Sequence, residues 1–268
     1  MSLKEFYDKH SNFSSRTLSE YNISPGIKCK FDILKKIIGN KINFKYSLDI
    51  GCSGNSFLYF LNNNSHTSFL DLAINPLKQY VLDKKIPSSK NIIKFFHPIN
   101  GDTSFLPYRD DSFNLIIMLD VLEHIKDDKI VLKEINRILK ENGYLIITVP
   151  HRMKYYSDQD KIIGHYRRYE LVQIIELLDN YNLKILKTFG VYGQLFRITE
   201  IQSYRPKEVE EQINKLRARY ESKIWFRKLW DLFVRITSYF MRLEVKYLSI
   251  NKVMNIGFVI KKTSKINL

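Results

Sequence analysis

The sequence predicts an α/β fold: a doubly wound, mostly parallel seven-stranded sheet, with a helical preface before it and a helical insertion before the last strand. Apolar segments of strand length alternate with segments of helical periodicity. A glycine loop follows the first strand, and acidic residues stand at the ends of several strands. These observations divide the chain into a preface, 1–44, and one domain, 45–268, that includes the insertion 201–252.

The first predicted strand, 46–50, leads into a loop that contains Gly51 and Gly54 and then into a predicted helix at 56–61. A glycine at the end of a strand lets a ligand approach the backbone, and a helix N-terminus presents free N–H groups to an anion. This layout is typical of a cofactor site. The loop lacks the G-x-G-x-x-G pattern of dinucleotide-binding proteins, so a dinucleotide is disfavoured.

The remaining strands and helices follow in alternation. A second strand, 67–72, ends near Asp71, which stands 22 residues after Asp49, and Asn75-Pro76 begins a helix. An acid at this place can accept hydrogen bonds from the hydroxyls of a ribose, whether the cofactor is NAD or another nucleoside. The further strands are predicted at 91–96, 115–119, 144–149, 183–189 and 255–261, with helices at 129–140 and after residue 169.

Several polar residues fall at or just after the carboxyl ends of these strands. They are Asp49, Asp71, Asp102, Asp120 and His151. In a doubly wound parallel sheet the ligand lies beyond this edge. The sequence therefore predicts one site at the carboxyl edge of the sheet.

Composition limits the class of protein. The net charge of +15 favours polyanionic partners, nucleic acid or an anionic membrane, although the abundance of Lys, Asn and Ile can also reflect an AT-rich genome. No apolar run is long enough to span a membrane, and the first residues lack the apolar region of a signal peptide. Two cysteines are too few for a zinc cluster. We therefore expect a cytoplasmic protein, with peripheral membrane contact as an option.

Four motifs in order resemble those of one enzyme family. Asp49 to Cys52 reads D-I-G-C; residues 101–116 read G-D-T-S-F-L-P-Y-R-D-D-S-F-N-L-I; residues 119–124 read L-D-V-L-E-H; and residues 132–150 end in G-Y-L-I-I-T-V-P. Together they resemble class I S-adenosylmethionine (SAM) methyltransferases of the quinone-biosynthesis type, methyltransferase type 11, whose fold is Rossmann-like. Ser53 and Asn55 stand where that family commonly has glycine.

The resemblance implies a set of cofactor contacts. The loop after the first strand would hold SAM, the end of the second strand would hold the ribose, Asp102 would bond the adenine amino group with Thr103 beside it, and the backbone near Leu119 would meet the methionine moiety. The implied cofactor residues are Asp49, Gly51, Cys52, Ser53, Asp71, Leu72, Asp102, Thr103 and Leu119. In relatives of this type a preface closes over the cofactor, and an early aromatic such as Tyr7 or Tyr21 touches it.

The chemistry is expected after the fourth and fifth strands. Asp120, Glu123 and His124 would share one face if a helix began here. This pattern resembles the metal-binding one of some quinone O-methyltransferases and small-RNA 2′-O-methyltransferases, in which a later histidine corresponds to His165. We prefer a site without a metal, in which His124 or His165 removes the proton of the acceptor, since histidine exchanges protons readily at neutral pH. Arg167 and Arg168 could hold a carboxylate or phosphate, or form salt bridges at the start of the following helix.

The insertion contains an amphipathic helix, 224–248. Its apolar stripe comprises Trp225, Leu229, Leu232, Phe233, Ile236, Phe240, Leu243 and Tyr247. A second stripe is mostly basic. The helix is expected to pack on the domain, to roof the substrate pocket, or to lie on an anionic membrane surface.

The sequence thus predicts a SAM-dependent methyltransferase. It would transfer a methyl group to an oxygen, in preference to a nitrogen or carbon, of a small-molecule or lipid- or glycan-linked acceptor, with S-adenosylhomocysteine as product. The basic charge keeps open an RNA-modifying methyltransferase, although no appended RNA-binding motif is present. The departures at Ser53 and Asn55 keep open a non-catalytic scaffold.

Overall fold

The structure is a computed structural model that describes residues 4, 5, 7, 17, 19–39, 44–61, 66–82, 95–199 and 205–263. Seven strands form one sheet: β1 Tyr46–Ile50, β2 His66–Asp71, β3 Phe95–Asn100, β4 Phe113–Leu119, β5 Leu139–Pro150, β6 Leu183–Tyr192 and β7 Asn255–Lys262. The helices are α1 Glu20–Ile23, α2 Pro25–Ile38, α3 Ile74–Leu82, α4 Asp128–Ile138, α5 Asp158–Ile162, α6 Leu171–Asp179, α7 Leu195–Thr199, α8 Pro206–Ser222 and α9 Ile224–Tyr247.

The sheet confirms the predicted fold class. Its strand order is β3-β2-β1-β4-β5-β7-β6, in which β1 to β5 pair in parallel and β7 runs antiparallel to both β5 and β6. In register, Ile50 at the end of β1 lies between Leu70 of β2 and Met118 of β4. The carboxyl ends of the parallel strands therefore meet at one edge, where such folds bind ligands.

The central strands are apolar on both faces because helices cover both sides of the sheet. Alternate residues of β4 divide accordingly: Ile116 and Met118 pack toward α4 and α6, whereas Leu115 and Ile117 pack toward α2. On the α2 side, Cys29 is fully buried, and burial raises the pKa of its thiol to about 12. The preface thus packs on one face of the sheet.

Some predicted boundaries differ from the structure. The helix expected at 56–61 is only a 3-10 helix, Phe57–Phe60. Its start is fixed by Ser56, whose hydroxyl accepts the N–H of Leu58 at 3.1 Å and donates to Asp49, while its own N–H donates to the Tyr80 hydroxyl at 3.1 Å. Asp49 and Tyr80 thus fix the start of this turn from outside it, and no continuous α-helix forms here.

The predicted third strand ends too early, because β3 continues to Asn100 in parallel register with β2; the predicted residues 91–94 lie outside the described residues. The fifth strand was predicted too short, since β5 runs from Leu139 to Pro150. Its added length lies at its beginning, where Leu139 pairs with Phe113 of β4.

The insertion packs against the preface. Trp230 of α9 donates its indole N–H to the carbonyl of Ile23 at 3.0 Å, and Arg242 forms an ion pair with Asp32 of α2. The buried residues of α9 are Val234, Ser238 and Met241, on the side opposite to the predicted apolar stripe. The expectation that this stripe packs on the domain is therefore wrong for most of its length. Trp225, Leu229 and Leu232 are more than half exposed. Among the helices that the structure describes, none is long and apolar enough to cross a bilayer.

We expect Gly51→Ala to destabilise the fold. Gly51 has a left-handed backbone, φ +68°, and a Cβ at this position would overlap the side chain of Val121. The free energy of unfolding should fall by about 1–3 kcal/mol, as measured by urea denaturation.

Gly101→Ala is the matched control, because Gly101 follows β3 at the same edge and its added Cβ would lie 3.4 Å from Leu70 Cδ1, an ordinary contact. Equal losses of stability in the two variants would contradict a steric constraint at Gly51.

Candidate functional site

A cavity of about 1950 Å³ lies at the carboxyl edge of the sheet. We call it the site cavity. Its wall includes Gly51, Asp71 and Asp102 at the strand ends, as well as side chains from the preface and from the helices of the insertion. This volume exceeds the roughly 300–1000 Å³ of most small-molecule pockets, so it has room for a nucleoside cofactor and a second ligand.

The loop after β1 is shaped by Asp71. The N–H of Ser53 donates to Asp71 Oδ2 at 2.9 Å, and the N–H of Ala73 donates to Asp71 Oδ1 at 2.9 Å. Ser53 has φ +48°, a left-handed conformation, so the residue that replaces a family glycine adopts a backbone that suits glycine. The two loops at the ends of β1 and β2 are thereby joined through one carboxylate that also lines the site cavity.

Asp49 and Cys52 lie beneath this loop and line a separate small space of about 40 Å³. Each is only 3% exposed. Burial raises the pKa of Asp49 to about 7, although the hydroxyl of Ser56 donates to its carboxylate. The carbonyl of Cys52 accepts the Tyr80 hydroxyl at 3.1 Å, and burial raises the pKa of the Cys52 thiol well above its ordinary value. Both residues therefore support the loop from below rather than lining the site cavity.

The remaining implied cofactor residues, Leu72, Asp102, Thr103 and Leu119, all line the site cavity. Asp102 Oδ1 accepts the N–H of Ser104 at 2.7 Å, which orders the turn after β3. His151, which the sequence also placed at this edge, is buried, and its Nδ1 lies 2.8 Å from the carbonyl oxygen of Tyr169. His151 packs in the interior and is not part of the cavity wall.

Asp120 forms a buried polar network at the floor of the site cavity. Its carboxylate accepts Lys30 Nζ at 2.6 Å, the Thr148 hydroxyl at 2.8 Å and the Asn255 amide at 2.8 Å. Burial alone would raise the pKa of Asp120, but the Lys30 ammonium and these donors lower it to about 2. The sequence did not indicate Lys30, because its partner lies 90 residues away.

The expected common face of Asp120, Glu123 and His124 is wrong. Asp120 has φ +57°, so no helix begins there, and only a short 3-10 helix, Leu122–His124, follows. Glu123 and His124 meet His165, as the resemblance implied, but Asp120 does not belong to the group. One potential ligand atom from each of Glu123, His124 and His165 lies within 4.8 Å of the others, and the two imidazole centroids are 4.5 Å apart.

His165 is oriented by an acid that the sequence did not single out. Its Nδ1 lies 2.7 Å from Asp160 Oδ1, and Arg168 pairs with the same carboxylate at 2.9 Å. Burial raises the pKa of Asp160, but the hydrogen bonds from His165 and Arg168 lower it to about 2. Because an ionised carboxylate can only accept, we assign the imidazole proton to Nδ1, which leaves the lone pair on Nε2. The sequence did contain a signal for Asp160, because Ser157 and Asp160 have the spacing of a capping box and form one at the start of α5.

Glu123 lies behind the two histidines with no exposed surface, and its Oε1 is 3.8 Å from His165 Nε2. Burial, with the negative charge of Asp120 second, raises the pKa of Glu123 well above its ordinary value. Neither carboxyl oxygen has a hydrogen-bond partner among the described residues. One carboxylate and two imidazoles form a donor set that divalent metals accept, so these three residues fit a metal ion as well as a metal-free site.

The arginines after the fifth strand have structural partners. Arg167 pairs with Asp128 at 2.7 Å and Arg168 with Asp160, which accounts for both without a bound anion. Of the early aromatics, Tyr7 lines the site cavity, with its ring centroid 6.2 Å from that of His124. Tyr21 instead donates to Asp32 of α2, and its ring packs at a tilt on that of Phe60 in the 3-10 helix after β1.

The sequence comparisons point to one family. A family model described as a methyltransferase domain matches residues 48–147. The uncharacterized protein MJ0638 of Methanocaldococcus jannaschii is 31% identical over 56% of this chain and 61% of its own length. The mitochondrial arginine-hydroxylase NDUFAF5 of Homo sapiens is 30% identical over 44% of this chain and 34% of its own length. The chain therefore spans less than two thirds of the length of these curated relatives.

A solved structure gives the same fold. Phosphoethanolamine N-methyltransferase 2 of Haemonchus contortus, in complex with phosphomonomethylethanolamine and S-adenosylhomocysteine, superposes with a TM-score of 0.62 at 18% identity. The match covers 99% of this chain and 61% of that chain. Together with the sheet order, these findings show that residues 48–147 resemble a methyltransferase domain and that the chain has the fold of class I methyltransferases.

Proposed function

We propose that this protein transfers the methyl group of SAM to a hydroxyl oxygen of a small-molecule or lipid- or glycan-linked acceptor. The observation that carries the proposal is the position of His165: it lines the same cavity as the residues implied to hold SAM, and Asp160 holds its Nδ1. A hydroxyl is a weak nucleophile unless a base removes its proton, and a carboxylate-held imidazole is a suitable base. A nitrogen acceptor that is already neutral needs no base of this kind.

The cofactor would lie across the loops after β1, β2 and β3. Asp71 would accept the ribose hydroxyls, Asp102 would accept the adenine amino group, and the backbone at Leu119 would meet the methionine part. Methyl transfer is an in-line displacement at the sulfonium, so most of the catalytic effect comes from alignment of the acceptor oxygen with the methyl carbon. The carbon–sulfur bond breaks as the carbon–oxygen bond forms, and S-adenosylhomocysteine leaves with the electron pair on sulfur.

The proton of the acceptor would pass to Nε2 of His165. The resulting imidazolium would be stabilised by Asp160, whose low pKa keeps it ionised at neutral pH. His124, whose ring lies against that of His165, would position the acceptor or take the proton in its place.

A second version of the same function places a divalent ion on Glu123, His124 and His165. It is favoured by the two oxygens of Glu123, which lack hydrogen-bond partners among the described residues although the residue is fully buried. When bound, such an ion would lower the pKa of the acceptor hydroxyl as a Lewis acid.

The first experiment identifies the acceptor class. The protein would be incubated with methyl-labelled SAM and separated lipid, RNA and metabolite fractions of its host cell. We expect label in the lipid or metabolite fraction, in an O-methyl product identified by mass spectrometry. Label in RNA would favour the RNA-modifying alternative, and SAM binding without transfer to any fraction would favour the scaffold. Because one relative is a named arginine-hydroxylase, transfer of label also separates methyl transfer from hydroxylation.

The second experiment tests the cofactor site. We expect Asp71→Ala to weaken SAM binding by about 1–3 kcal/mol, roughly tenfold to a hundredfold, because two ribose hydroxyls lose their acceptor. Asp71→Asn keeps an acceptor for only one of the two loop N–H groups, so comparison of the two variants should show how much of the loss comes from loop order. Calorimetric titration measures the affinity, and thermal unfolding reports loop damage.

Asp179→Ala is the control for charge, since Asp179 is exposed and outside the lining of the site cavity. If Asp71→Ala and Asp179→Ala bind SAM equally well, the ribose assignment is wrong.

The third experiment tests the base. With an acceptor in hand, His165→Ala should lower turnover by about 10²–10⁴ while SAM affinity stays nearly constant. His124→Ala should have a smaller effect if His124 only positions the acceptor. Asp160→Asn should also slow turnover, since an amide can donate to Nδ1 and shift the imidazole proton to Nε2. His97→Ala is the control, because His97 is exposed on β3 and outside the cavity lining.

Full turnover in both the His124 and the His165 variant would exclude either histidine as the base. Chelation separates the two versions of the site: activity that is lost with EDTA and restored by magnesium or manganese would replace the metal-free version with the metal-bound one.

A further inference from the structure

The long helix α9 presents apolar side chains away from the body of the protein. Trp225 is 56% exposed, Leu229 61% and Leu232 55%, whereas Val234, Ser238 and Met241 form the side turned toward the core. The exposed large side chains of this helix are Ile224, Trp225, Leu229, Leu232, Phe233, Ile236, Tyr239, Phe240 and Tyr247. We call this the outer face of α9. It runs the length of a 24-residue helix, which is about 36 Å.

Such a surface is unusual on a monomer. Amphipathic helices normally bury their apolar side, and contiguous exposed apolar patches beyond a few hundred Å² mark interaction sites. Single exposed apolar residues, such as Val172 on α6 and Leu186 on β6, need no explanation, but nine on one helix do. The outer face of α9 therefore indicates a partner.

The charges beside this face identify the chemistry of that partner. Lys228, Arg235 and Lys246 are exposed, and their spacing of seven and eleven residues places them along one flank of the apolar stripe. The acids of α9 point elsewhere: Asp231 accepts the Tyr220 hydroxyl at 2.7 Å, and Glu244 accepts the N–H of Gln194 at 2.7 Å. The outer face is thus apolar and cationic, without a carboxylate.

We infer that the outer face of α9 docks on an anionic lipid bilayer. Its apolar side chains would enter the boundary between headgroups and acyl chains, and the three cations would lie at the level of the lipid phosphates. A second copy of this chain would offer the same cations and no acids on this face to pair with them. A nucleic acid would use the cations but leave the large apolar side chains in water.

The docked surface adjoins the site cavity. Phe233, Ile236 and Phe240 belong to the outer face and also line the cavity that reaches His165. Docking would therefore set the cavity against the bilayer, so that an amphiphilic acceptor could enter from the membrane with its polar group toward the histidine. This consequence rests on the proposed function; the docking itself does not.

Vesicle binding of the whole protein tests the inference without SAM or an acceptor. We expect co-sedimentation with vesicles of phosphatidylcholine and phosphatidylglycerol, and little with phosphatidylcholine alone. The charge reversal Lys228→Glu/Arg235→Glu/Lys246→Glu should lower partitioning about a hundredfold or more, since each basic residue near an anionic surface contributes roughly fivefold. Its matched control is Lys133→Glu/Lys184→Glu/Lys187→Glu, which changes three exposed lysines elsewhere by the same charge.

The apolar contribution has its own variants. Trp225→Ser/Leu229→Ser/Leu232→Ser should abolish binding, whereas Val172→Ser/Leu186→Ser, which removes exposed apolar side chains outside α9, should not. Circular dichroism of all variants checks that α9 stays folded.

Tryptophan fluorescence reports the docking directly, because both tryptophans of the chain lie on α9. In a Trp230→Phe variant only the exposed Trp225 remains, and its emission should shift to the blue and be quenched by brominated lipid on addition of anionic vesicles. Three results would overturn the inference: no binding to anionic vesicles, equal binding by the charge-reversed variant and its control, or RNA binding or self-association through the outer face without vesicle binding. None of them bears on methyl transfer to a water-soluble acceptor, which the labelled-SAM experiment tests separately.

Discussion

The partly buried carboxylate of Asp120 is the constraint on which the site depends. It accepts hydrogen bonds from Lys30 on α2, Thr148 on β5 and Asn255 on β7, so one side chain joins the preface to two strands. The Lys30 side chain is buried, so removal of Asp120 would leave its charge without this anionic partner. The turn that Asp120 fixes carries Leu119 into the site cavity and Val121 against Gly51. The floor of the site cavity and the close contact between the loops after β1 and β4 therefore both depend on the turn at Asp120.

The site combines a rigid part and a part assembled from distant segments. The carboxyl ends of β1 to β4 are positioned by parallel pairing, and their polar residues could be predicted because strand ends, acids and glycines are local signals in the sequence. The succession of strands along the chain followed from apolar runs of strand length, whereas the strand order within the sheet comes from the structure. The implied contacts at Leu72, Asp102, Thr103 and Leu119 needed only these signals and the motifs around them.

The rest could not be predicted because it depends on contacts between residues far apart in the chain. The turn at Ser56 stays a 3-10 helix because Tyr80 bonds its N–H, 24 residues away. Asp120 is separated from Glu123 and His124 by its own left-handed backbone, a conformation that Asp tolerates but that the local sequence does not specify. Helical periodicity located the apolar stripe of α9 correctly but could not say which side faces the core, because a stripe of this kind is equally suited to burial and to an external partner.

The two cysteines of the chain have a consequence for how the protein can be handled. Cys29 and Cys52 are both buried, and burial raises the pKa of each thiol, so neither supplies an accessible thiolate at neutral pH. Air oxidation and alkylating reagents should therefore leave the native chain unmodified while it is folded. The two native cysteines should therefore not react with maleimide reagents in the folded protein. A single cysteine introduced at an exposed position would carry a fluorophore or spin label without removal of either native thiol.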